Sequence, residues 1–407
     1  MAHKKPKTFA LLLHITGPDR PGITAMLTKH LAQAHYQMLT MGQYVTHGLL
    51  SLSILVRAKD LSNESNSFSE VLKDILFDTK AIGLHCDFQI FDQDQETPNA
   101  RVNPSHEEWS LTLVDEKEIS MDLLAAISGY LAAEKINIYR IDHPAVESRH
   151  KVLEILLHIP EHQAPYEIKS KLLSMGHKHQ CDLSFVKNDI FRFHKRLIVF
   201  DMDSTLTEGE VIDELAKLCG KSKEVEEITK AAMNGKIDFT TSLKERVALL
   251  KGLPVNQVEL VKKNMVFSKG AKEVISTIKQ LGMKTAVVSG GFRPFVDHVK
   301  KELGLDYAFG NELEVDQMGH LTGVVTGRII DAFAKAEILE TLAQAESIHL
   351  QQVVAVGDGS NDLKMLTKAG LGIAFHAKDV VKNNTSSHLS FGPMTNLLTF
   401  LGLPQII

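Results

Sequence analysis

The sequence predicts an α/β protein in which two ferredoxin-like βαββαβ modules precede a Rossmann-like parallel sheet with a helical cap. Three observations predict this architecture. The length of 407 residues allows two to four domains. The first 190 residues show the same order of strands and helices twice. Beyond residue 195, short and continuously apolar strands alternate with helices, as in a parallel sheet covered on both faces.

The first module is predicted over residues 1–95. The segment GPDRPG, from Gly17 to Gly22, contains two prolines and two glycines and predicts a loop after the first strand. The helix that follows has Ile23, Leu27 and Leu31 on one face. The predicted elements are a strand at 9–16, a helix at 23–34, strands at 36–45 and 49–57, a helix at 68–82 and a strand at 84–90.

The second module is predicted over residues 105–190, after a polar linker at 91–105 that contains two prolines. Nothing like GPDRPG follows its first strand, so it is expected to be a degenerate copy in which ligand binding is not expected. Its predicted elements are a strand at 109–114, a helix at 120–135, strands at 136–141 and 152–159, a helix at 166–175 and a strand at 181–186.

The parallel sheet is predicted in the third region, residues 195–407. Residues 210–251 have only helical patterns and interrupt the first strand–helix unit. A cap outside the sheet is therefore expected at about 208–265. The sheet strands are expected at 196–200, 285–289, 353–356 and 372–375.

The bulk composition is that of an ordinary globular protein. A formal net charge of −5 and a pI near 6.4 give no sign of the basic face of nucleic-acid-binding proteins, so no such partner is expected. Cys86, Cys181 and Cys219 form no CxxC pair, which argues against a disulfide framework or zinc site and favours a reducing, cytoplasmic setting. No stretch approaches the ~18 apolar residues that span a bilayer, and no signal peptide is recognised, so no membrane association is expected.

Paired carboxylates follow the first strand of the third region, in DMDSTLT. Asp201 and Asp203 come directly after the apolar run RLIVF. Ligands of open α/β sheets bind beyond the carboxyl ends of the strands, so both side chains are expected at a ligand site. Two carboxylates this close repel each other unless a divalent cation neutralises them. A solvated acidic turn is the alternative.

A second acidic loop, GDGSND, follows the strand at 353–356. Asp358 and Asp362 offer the oxygen ligands that magnesium prefers, and Gly357 and Gly359 let the backbone approach a ligand closely. The alternative is a glycine-rich turn in which Asp362 caps the next helix.

A third loop, in AVVSGGF, ends another strand. The Ser289 hydroxyl and the amides of Gly290 and Gly291 at a helix start form a candidate phosphate cradle, and a simple strand-to-helix turn is the alternative. Lys335, in DAFAKAEIL, would by itself be interpreted as a solvated surface lysine. Because all three loops end parallel strands, they are expected to face one crevice.

The order DxDxT, Ser-Gly-Gly, Lys and GDxxND resembles the haloacid dehalogenase-like hydrolase superfamily. The resemblance implies a phosphomonoester hydrolase with Mg²⁺ as cofactor, Asp201 as nucleophile and Asp203 as general acid and base. It implies metal ligands at Asp201, the Asp203 backbone carbonyl and Asp358, with Asp362 in support. The implied phosphate contacts are Ser289, Gly290, Gly291, Lys335 and Asn361.

Within that superfamily, residues 195–401 resemble the phosphoserine phosphatase family, through DMDSTLTEGEVIDELA, MNGKIDFTTSLKERVALLKGL, VVSGGF, NELEVD and GDGSNDLKML. This resemblance implies that Glu208 binds the substrate ammonium and Arg246 its carboxylate, with Met233 and Phe239 on its apolar side. Ordinary helix-surface charge is the alternative for Glu208 and Arg246. Another small phosphomonoester, phosphoryl transfer to an alcohol, and an amino-acid sensor on an inactive scaffold also stay open.

Residues 7–90 resemble an ACT domain, with GPDRPGI as the recognisable loop. The resemblance implies amino-acid binding at an interface between two such modules, with Asp19, Arg20 and Gly22 in the ligand loop. Serine or another amino acid is the expected effector, and a homodimer is the expected assembly. Dimerisation without any ligand is the alternative.

Overall fold

The computed structural model describes residues 9–58, 65–92, 106–143, 151–233 and 235–403. The chain divides into two compact units, Met1–Pro104 and Ser105–Ile407. Most of the predicted linker at 91–105 lies outside the described residues. Within them, no helix combines the length and apolar character needed to cross a bilayer.

The first unit contains the predicted βαββαβ module. Its elements are β1 (Phe9–Pro18), α1 (Ile23–Gln33), β2 (Tyr36–Thr46), β3 (Leu49–Ala58), α2 (Ser65–Ala81) and β4 (His85–Asp92). The strand order β2-β3-β1-β4 is antiparallel throughout and places β1 between β3 and β4. Leu13, Ile15 and Leu27 are buried between this sheet and its helices. The ferredoxin-like prediction is confirmed.

The second module begins the other unit and has the same order of elements. These are β5 (His106–Asp115), α3 (Met121–Ala133), β6 (Asn137–Asp142), β7 (Lys151–Pro160), α4 (Pro165–Lys178) and β8 (Asp182–Lys187). The strand order β8-β5-β7-β6 corresponds to that of the first module. Its core is separate and includes Leu111, Ile127 and Leu172.

A second group of strands forms the predicted Rossmann-like sheet. They are β9 (Leu197–Phe200), β10 (Lys284–Phe292), β11 (Tyr307–Val315), β12 (Leu321–Thr326), β13 (Val353–Gly357), β14 (Leu371–Phe375) and β15 (Ser387–Leu389). The order is β12-β11-β10-β9-β13-β14-β15. β9 pairs in parallel with β10 on one side and β13 on the other, so it lies at the centre. All four β9 side chains are buried, which explains the unbroken apolar run LIVF.

Helices cover this sheet and form the cap. The cap helices are α5 (Val211–Leu218), α6 (Ser222–Met233), α7 (Phe239–Ala248) and α8 (Val255–Lys263). The later helices are α9 (Ala271–Gln280), α10 (Arg293–Leu303), α11 (Ala332–Ala345), α12 (Leu363–Lys368), α13 (Asp379–Lys382) and α14 (Asn396–Phe400), with short 3₁₀ turns at Leu350–Gln352 and Ser360–Asp362. The cap helices lie between β9 and α9 in the chain, as the sequence predicts.

The second module and the Rossmann-like sheet form one continuous sheet, which the sequence did not predict. β15 pairs antiparallel with β8, with Ser387 opposite Ser184 and His388 opposite Leu183. The two segments predicted as separate domains therefore share an eleven-stranded sheet within one compact unit.

Candidate active site

Three acidic or polar loops meet at the carboxyl edge of the central strands. Phe200, at the end of β9, lies level with Val287 on β10 and Val356 on β13. The backbone N–H of Asp201 donates to the carbonyl oxygen of Val356 at 2.9 Å. This register brings the residues after β9 and β13 to the same height as Ser289 on β10, as expected for ligand loops of an open parallel sheet.

Lys335 joins two of these loops from α11. Its side chain is fully buried, and its Nζ lies 2.7 Å from Oδ1 of Asp201 and 2.7 Å from Oδ1 of Asp362. Asp331 caps α11 by accepting the N–H groups of Phe333 and Ala334, which fixes the turn that presents Lys335. Burial favours the neutral amine, but the two carboxylates outweigh it and raise the pKa of Lys335 overall. Its full burial and its two ion pairs exclude the alternative that Lys335 is a solvated surface lysine.

Asp201, Asp358 and Asp362 form an acidic cluster in which one carboxylate oxygen of each lies within 4.8 Å of the others. Oδ1 of Asp362 is bound by Lys335 and Oδ2 accepts the N–H of Gly359 at 3.0 Å. Both oxygens of Asp362 are therefore engaged by protein, which suits a supporting role. Asp201 and Asp358 are the carboxylates best placed to bind a cation.

The donor set of this cluster fits a hard divalent cation. Burial, followed by the charge of Asp362, raises the pKa of Asp201 well above its usual range. The same two causes raise the pKa of Asp358 to about 7. Carboxylates crowded this way release their protons when a cation is bound, and an all-oxygen set is the one that Mg²⁺ prefers.

The Asp203 carboxylate lies apart from the acidic cluster. Its Oδ1 accepts the N–H of Val211, the first residue of cap helix α5, at 2.9 Å, and its Oδ2 accepts the Ser289 hydroxyl at 3.3 Å. Burial, followed by the charge of Glu210, raises the pKa of Asp203 to about 7. A carboxyl with such a pKa can both hold and release a proton near neutral pH, as a general acid and base must.

The Ser289–Gly291 loop is held in place by its neighbours. Asn311 Nδ2 donates to the Gly290 carbonyl at 2.8 Å, and Asn311 Oδ1 accepts the N–H of Ile330 at 2.8 Å. The Gly291 N–H donates to the Ser289 hydroxyl at 2.8 Å, so it points at that side chain rather than into the open crevice. Asn311 was not singled out by sequence reasoning, although it is the Asn of NELEVD.

Close approaches explain two glycines of the site. A Cβ on Gly290 would lie 2.8 Å from Cζ of Phe239, so the first residue of cap helix α7 packs directly against the candidate phosphate loop. A Cβ on Gly357 would lie 2.6 Å from the carboxyl carbon of Asp362. Asn361 is half-buried in the 3₁₀ turn beside this carboxylate.

The cap presents a pair of opposite charges to the site. Burial lowers the pKa of Arg246, and the charges of Glu210 and Asp213 oppose that shift. Partial loss of solvent raises the pKa of Glu210, which Arg246 offsets in part. The charge of Glu210 also contributes to raising the pKa of Asp203 and that of Asp358.

Glu210 was not singled out in the sequence, where Glu208 is the predicted partner of the substrate ammonium. Both glutamates are exposed, and Glu208 lines a cavity of about 340 Å³ together with Ser268, Lys269 and His376. Glu210 immediately precedes Val211, whose N–H binds Asp203, a contact that no sequence pattern indicates. The Met233 side chain lies outside the described residues.

The predicted ligand loop of the first module lines a cavity of about 270 Å³. Asp19, Arg20 and Gly22 all contribute to its wall. Thr24 and Gln43 also line it, and the Thr24 hydroxyl donates to the side-chain oxygen of Gln43 at 2.8 Å. The N–H of Asp19 donates to the Gly48 carbonyl at 2.8 Å, which ties the loop to the turn between β2 and β3.

Comparison with known proteins agrees with this geometry. Residues 195–370 match the haloacid dehalogenase-like hydrolase family, and residues 10–89 match the ACT domain. Phosphoserine phosphatase SerB2 of Mycobacterium tuberculosis is 35% identical over 406 residues, which cover 98% of this chain and 95% of that protein. Phosphoserine phosphatase of Archaeoglobus fulgidus is 48% identical over 252 residues, 62% of this chain and 73% of that protein.

A solved structure has a similar fold. A HAD-family hydrolase of Salmonella enterica serovar Typhi superposes with a TM-score of 0.62 at 30% identity, covering 72% of this chain and 98% of its own. Fold and site together define a haloacid dehalogenase-like hydrolase with an ACT domain. The similarity along almost the whole length is more specific: this chain belongs to the phosphoserine phosphatase family.

Proposed function

We propose that this chain hydrolyses O-phospho-L-serine to L-serine and phosphate, the last step of serine biosynthesis, through a phospho-aspartate at Asp201. One observation carries the proposal: a buried lysine bridges Asp201 and Asp362 beside Asp358, and the cap faces this cluster with Arg246 and Glu210. A phosphorylated zwitterion needs this combination, because it has one anionic and one cationic group besides its phosphate.

In the first step, an oxygen of Asp201 attacks phosphorus and the bond between phosphorus and the serine oxygen breaks. Lys335 holds Oδ1 of Asp201 at 2.7 Å, which orients the carboxylate, and its charge offsets that of the phosphate oxygens. Asp203, whose pKa is raised to about 7, gives its proton to the departing serine oxygen. The products of this step are serine and an acyl phosphate.

In the second step, water attacks the phosphorus of the acyl phosphate. Asp203, now ionised, accepts a proton from this water while the bond between phosphorus and the Asp201 oxygen breaks. Phosphate leaves and both carboxyl groups return to their starting states. A positioned acid and base of this kind contributes about 10²- to 10⁴-fold to the rate.

Magnesium is the cation that we assign to the acidic cluster. When bound there, it neutralises phosphate charge and lets Asp201 stay ionised. Asp201 and Asp358 would hold it with their side chains, Asp203 with its backbone carbonyl, and Asp362 would support them. Ser289, Gly290 and Asn361 are the proposed phosphate contacts, whereas the N–H of Gly291 supports the Ser289 hydroxyl.

Substrate recognition is assigned to the cap. Arg246 suits a carboxylate because its guanidinium donates two parallel hydrogen bonds. We propose Glu210 as the partner of the substrate ammonium in preference to Glu208, because the Glu210 charge acts on both Arg246 and Asp203. Phe239, packed against Gly290, and Met233 are proposed to line the apolar side.

The decisive experiment measures phosphate release from L-phosphoserine with magnesium and with a chelator, for the unmutated chain and for Asp201→Asn. We expect release only from the unmutated chain with metal. Equal release from Asp201→Asn would refute the assigned nucleophile. Phosphothreonine, a sugar phosphate and an added acceptor alcohol, tested alongside, separate the proposal from a phosphatase of other specificity and from a phosphotransferase.

Arg246→Ala tests the recognition of the zwitterion. Loss of a charge-assisted hydrogen bond of about 1.5–3 kcal/mol should lower kcat/KM for phosphoserine by roughly 10- to 150-fold. Phenyl phosphate has no carboxylate, so its kcat/KM should change much less. Equal losses of kcat/KM on both substrates would argue against binding of the carboxylate by Arg246. A comparison of kcat/KM for phosphoserine between Glu208→Gln and Glu210→Gln decides which glutamate binds the ammonium.

The first module is proposed to bind serine as an effector in the cavity lined by Asp19, Arg20 and Gly22, within a homodimer. Calorimetric titration with serine, compared with an Asp19→Ala variant, tests this assignment. The three cysteines are free thiols, which supports a cytoplasmic location.

A further inference from the structure

One buried carboxylate of the second module holds a loop of the phosphatase region. Asp182, the first residue of β8, is only 1% exposed. Its Oδ1 accepts the N–H groups of Ser390 at 2.6 Å and Phe391 at 3.0 Å, and its Oδ2 accepts that of Gly392 at 2.9 Å. These residues begin the segment 390–395 after β15, which we call the junction loop.

The contact is tightly specified. Asn396 adds a fourth donor to Asp182 through its side-chain Nδ2, at 3.4 Å. A Cβ on Gly392 would lie 2.9 Å from Oδ2 of Asp182 and would overlap the Asn396 amide, so only glycine fits. Three consecutive backbone N–H groups need an anionic acceptor with two oxygens, which a carboxylate provides and a carboxamide does not.

The other end of the junction loop contacts the connection to the cap. The N–H of Met394 donates to the carbonyl of Lys269 at 3.0 Å. A Cβ on Gly270 would lie 2.9 Å from Cγ2 of Thr395, so the loop and this connection are in direct contact. Lys269 and Gly270 belong to the segment 264–270, by which the chain returns from α8 of the cap to α9.

The two chain segments that join the cap to the sheet are bonded to each other. The N–H of Ser268 donates to the carbonyl of Leu206 at 3.0 Å, and its hydroxyl donates to that of Thr205 at 2.6 Å. The N–H of Glu208 donates to the carbonyl of Val266 at 2.9 Å. We call this pair of segments, 204–209 and 264–270, the cap hinge. It begins one residue after Asp203.

Hydrogen bonds, together with the short chain segments between them, therefore connect the second module to the catalytic loop. We propose that Asp182 is a positioning residue for the phosphatase: by fixing the junction loop, it holds the cap hinge in the geometry that brings Arg246 and Phe239 over the substrate. The role assigned to the cap side chains rests on the proposed function, but the mechanical link from Asp182 to the hinge does not.

Asp182→Asn tests the link, because it keeps the size of the side chain and replaces one acceptor oxygen by a donor. Hydrogen exchange followed by mass spectrometry should show faster exchange at Met394 and at Ser268, with β9 unchanged. With magnesium, KM for phosphoserine should rise roughly tenfold, because fewer molecules have the cap in its competent position. The kcat/KM for phenyl phosphate should change less than about threefold, since this substrate does not use Arg246.

Ser184→Ala is the matched control. It removes the hydrogen bond of 2.6 Å between the hydroxyls of Ser184 and Ser387, across the same pairing of β8 with β15, and leaves the junction loop intact. We expect lower thermal stability from it, with hinge exchange and KM unchanged. If Asp182→Asn does not fold, Gly392→Ala perturbs the loop from the other side of the contact and is read in the same way.

The outcomes separate the two proposals. Two results would overturn the positioning role. One is unchanged hydrogen exchange at Ser268 in a folded Asp182→Asn protein. The other is an equal effect of Asp182→Asn and Ser184→Ala on KM. An unmutated chain that leaves phosphoserine intact contradicts the proposed function alone, because the exchange experiment measures the hinge without any substrate.

Discussion

Replacing Lys335 by methionine should uncouple the active site both structurally and catalytically. The Nζ of Lys335 is fully buried, 2.7 Å from an oxygen of Asp201 and 2.7 Å from an oxygen of Asp362. Methionine has a similar length and fills the same space, so the change removes charge and hydrogen bonds with little loss of volume. Two buried carboxylates then lose their shared cation.

The size of the effect follows from this geometry. Removing one partner of a buried ion pair costs about 3–5 kcal/mol, because the remaining charge stays buried without compensation. Removing a donor that stabilises transition-state charge lowers kcat by about 10²- to 10³-fold. Lys335→Met should therefore be less stable by about 3–5 kcal/mol without metal and release phosphate at least about a hundredfold more slowly with it.

The stability loss should depend on pH in a defined direction. Burial and the charge of Asp362 already raise the pKa of Asp201, and removing the opposing charge of Lys335 raises it further. A folded-state pKa above the unfolded value favours the folded state once the carboxyl is protonated, so stability is regained as the pH falls through that pKa. The gap between wild type and variant should be wider at about pH 8 than at about pH 5.5.

The assay is urea unfolding in the presence of a chelator, with phosphate release measured separately with magnesium. Lys368→Met is the control: its Nζ lies 2.6 Å from Glu340, but both side chains are partly exposed, at 45% and 34%. Such a surface pair contributes at most about 1 kcal/mol. A Lys335→Met protein that behaves like Lys368→Met in both assays would refute the reasoning.

Two further predictions concern a buried imidazole and a tight glycine. His388 is 1% exposed, its Nε2 lies 3.1 Å from the Leu173 carbonyl, and burial lowers its pKa to about 4. Because the His388 side chain takes up a proton near pH 6.5 in the unfolded chain but not in the folded one, the free energy of unfolding should fall by about 2 kcal/mol between about pH 7.5 and pH 5. In urea unfolding, His388→Gln should lack this part of the pH dependence. Identical pH dependence of the two proteins would contradict the prediction. Gly290→Ala would place a methyl group 2.8 Å from Phe239, so activity with phosphoserine should fall by at least about tenfold. Gly129→Ala, in α3 of the second module, is the steric control, because its Cβ would meet no atom within 4 Å. Unaltered activity of Gly290→Ala would contradict the contact between the cap and the Ser289–Gly291 loop.

Much of the fold was predictable because its elements are locally encoded. The strand at β9 is continuously apolar since both faces are covered, and α1 shows its buried face through Ile23, Leu27 and Leu31. The meeting of Asp201, Ser289 and Asp358 followed from one rule, that parallel strands end at the same edge of a sheet.

Other features were not predictable because short local signals do not encode them. β15 has only three residues, too few for a hydrophobic period, and its pairing with β8 joins positions about two hundred residues apart in the chain. The same distance in sequence separates Asp182 from the loop that it holds. Asn311 is buried between Gly290 and Ile330, and nothing in its local pattern indicates those partners.

The sequence by itself determined the order of strands and helices, the chemistry of the loops at the strand ends and the family resemblance, because these depend on periodicity and on residue types at close spacing. Only the tertiary structure decided that Lys335 is buried between two carboxylates and that the Glu210 carboxylate lies near enough to Arg246 to affect its pKa. It also decided that the second module continues the phosphatase sheet. The physical reason is common to all three. Each depends on a contact between residues far apart in the chain, and such a contact forms only once the chain has folded. A local sequence pattern reports the environment of neighbouring residues and does not specify these distant partners.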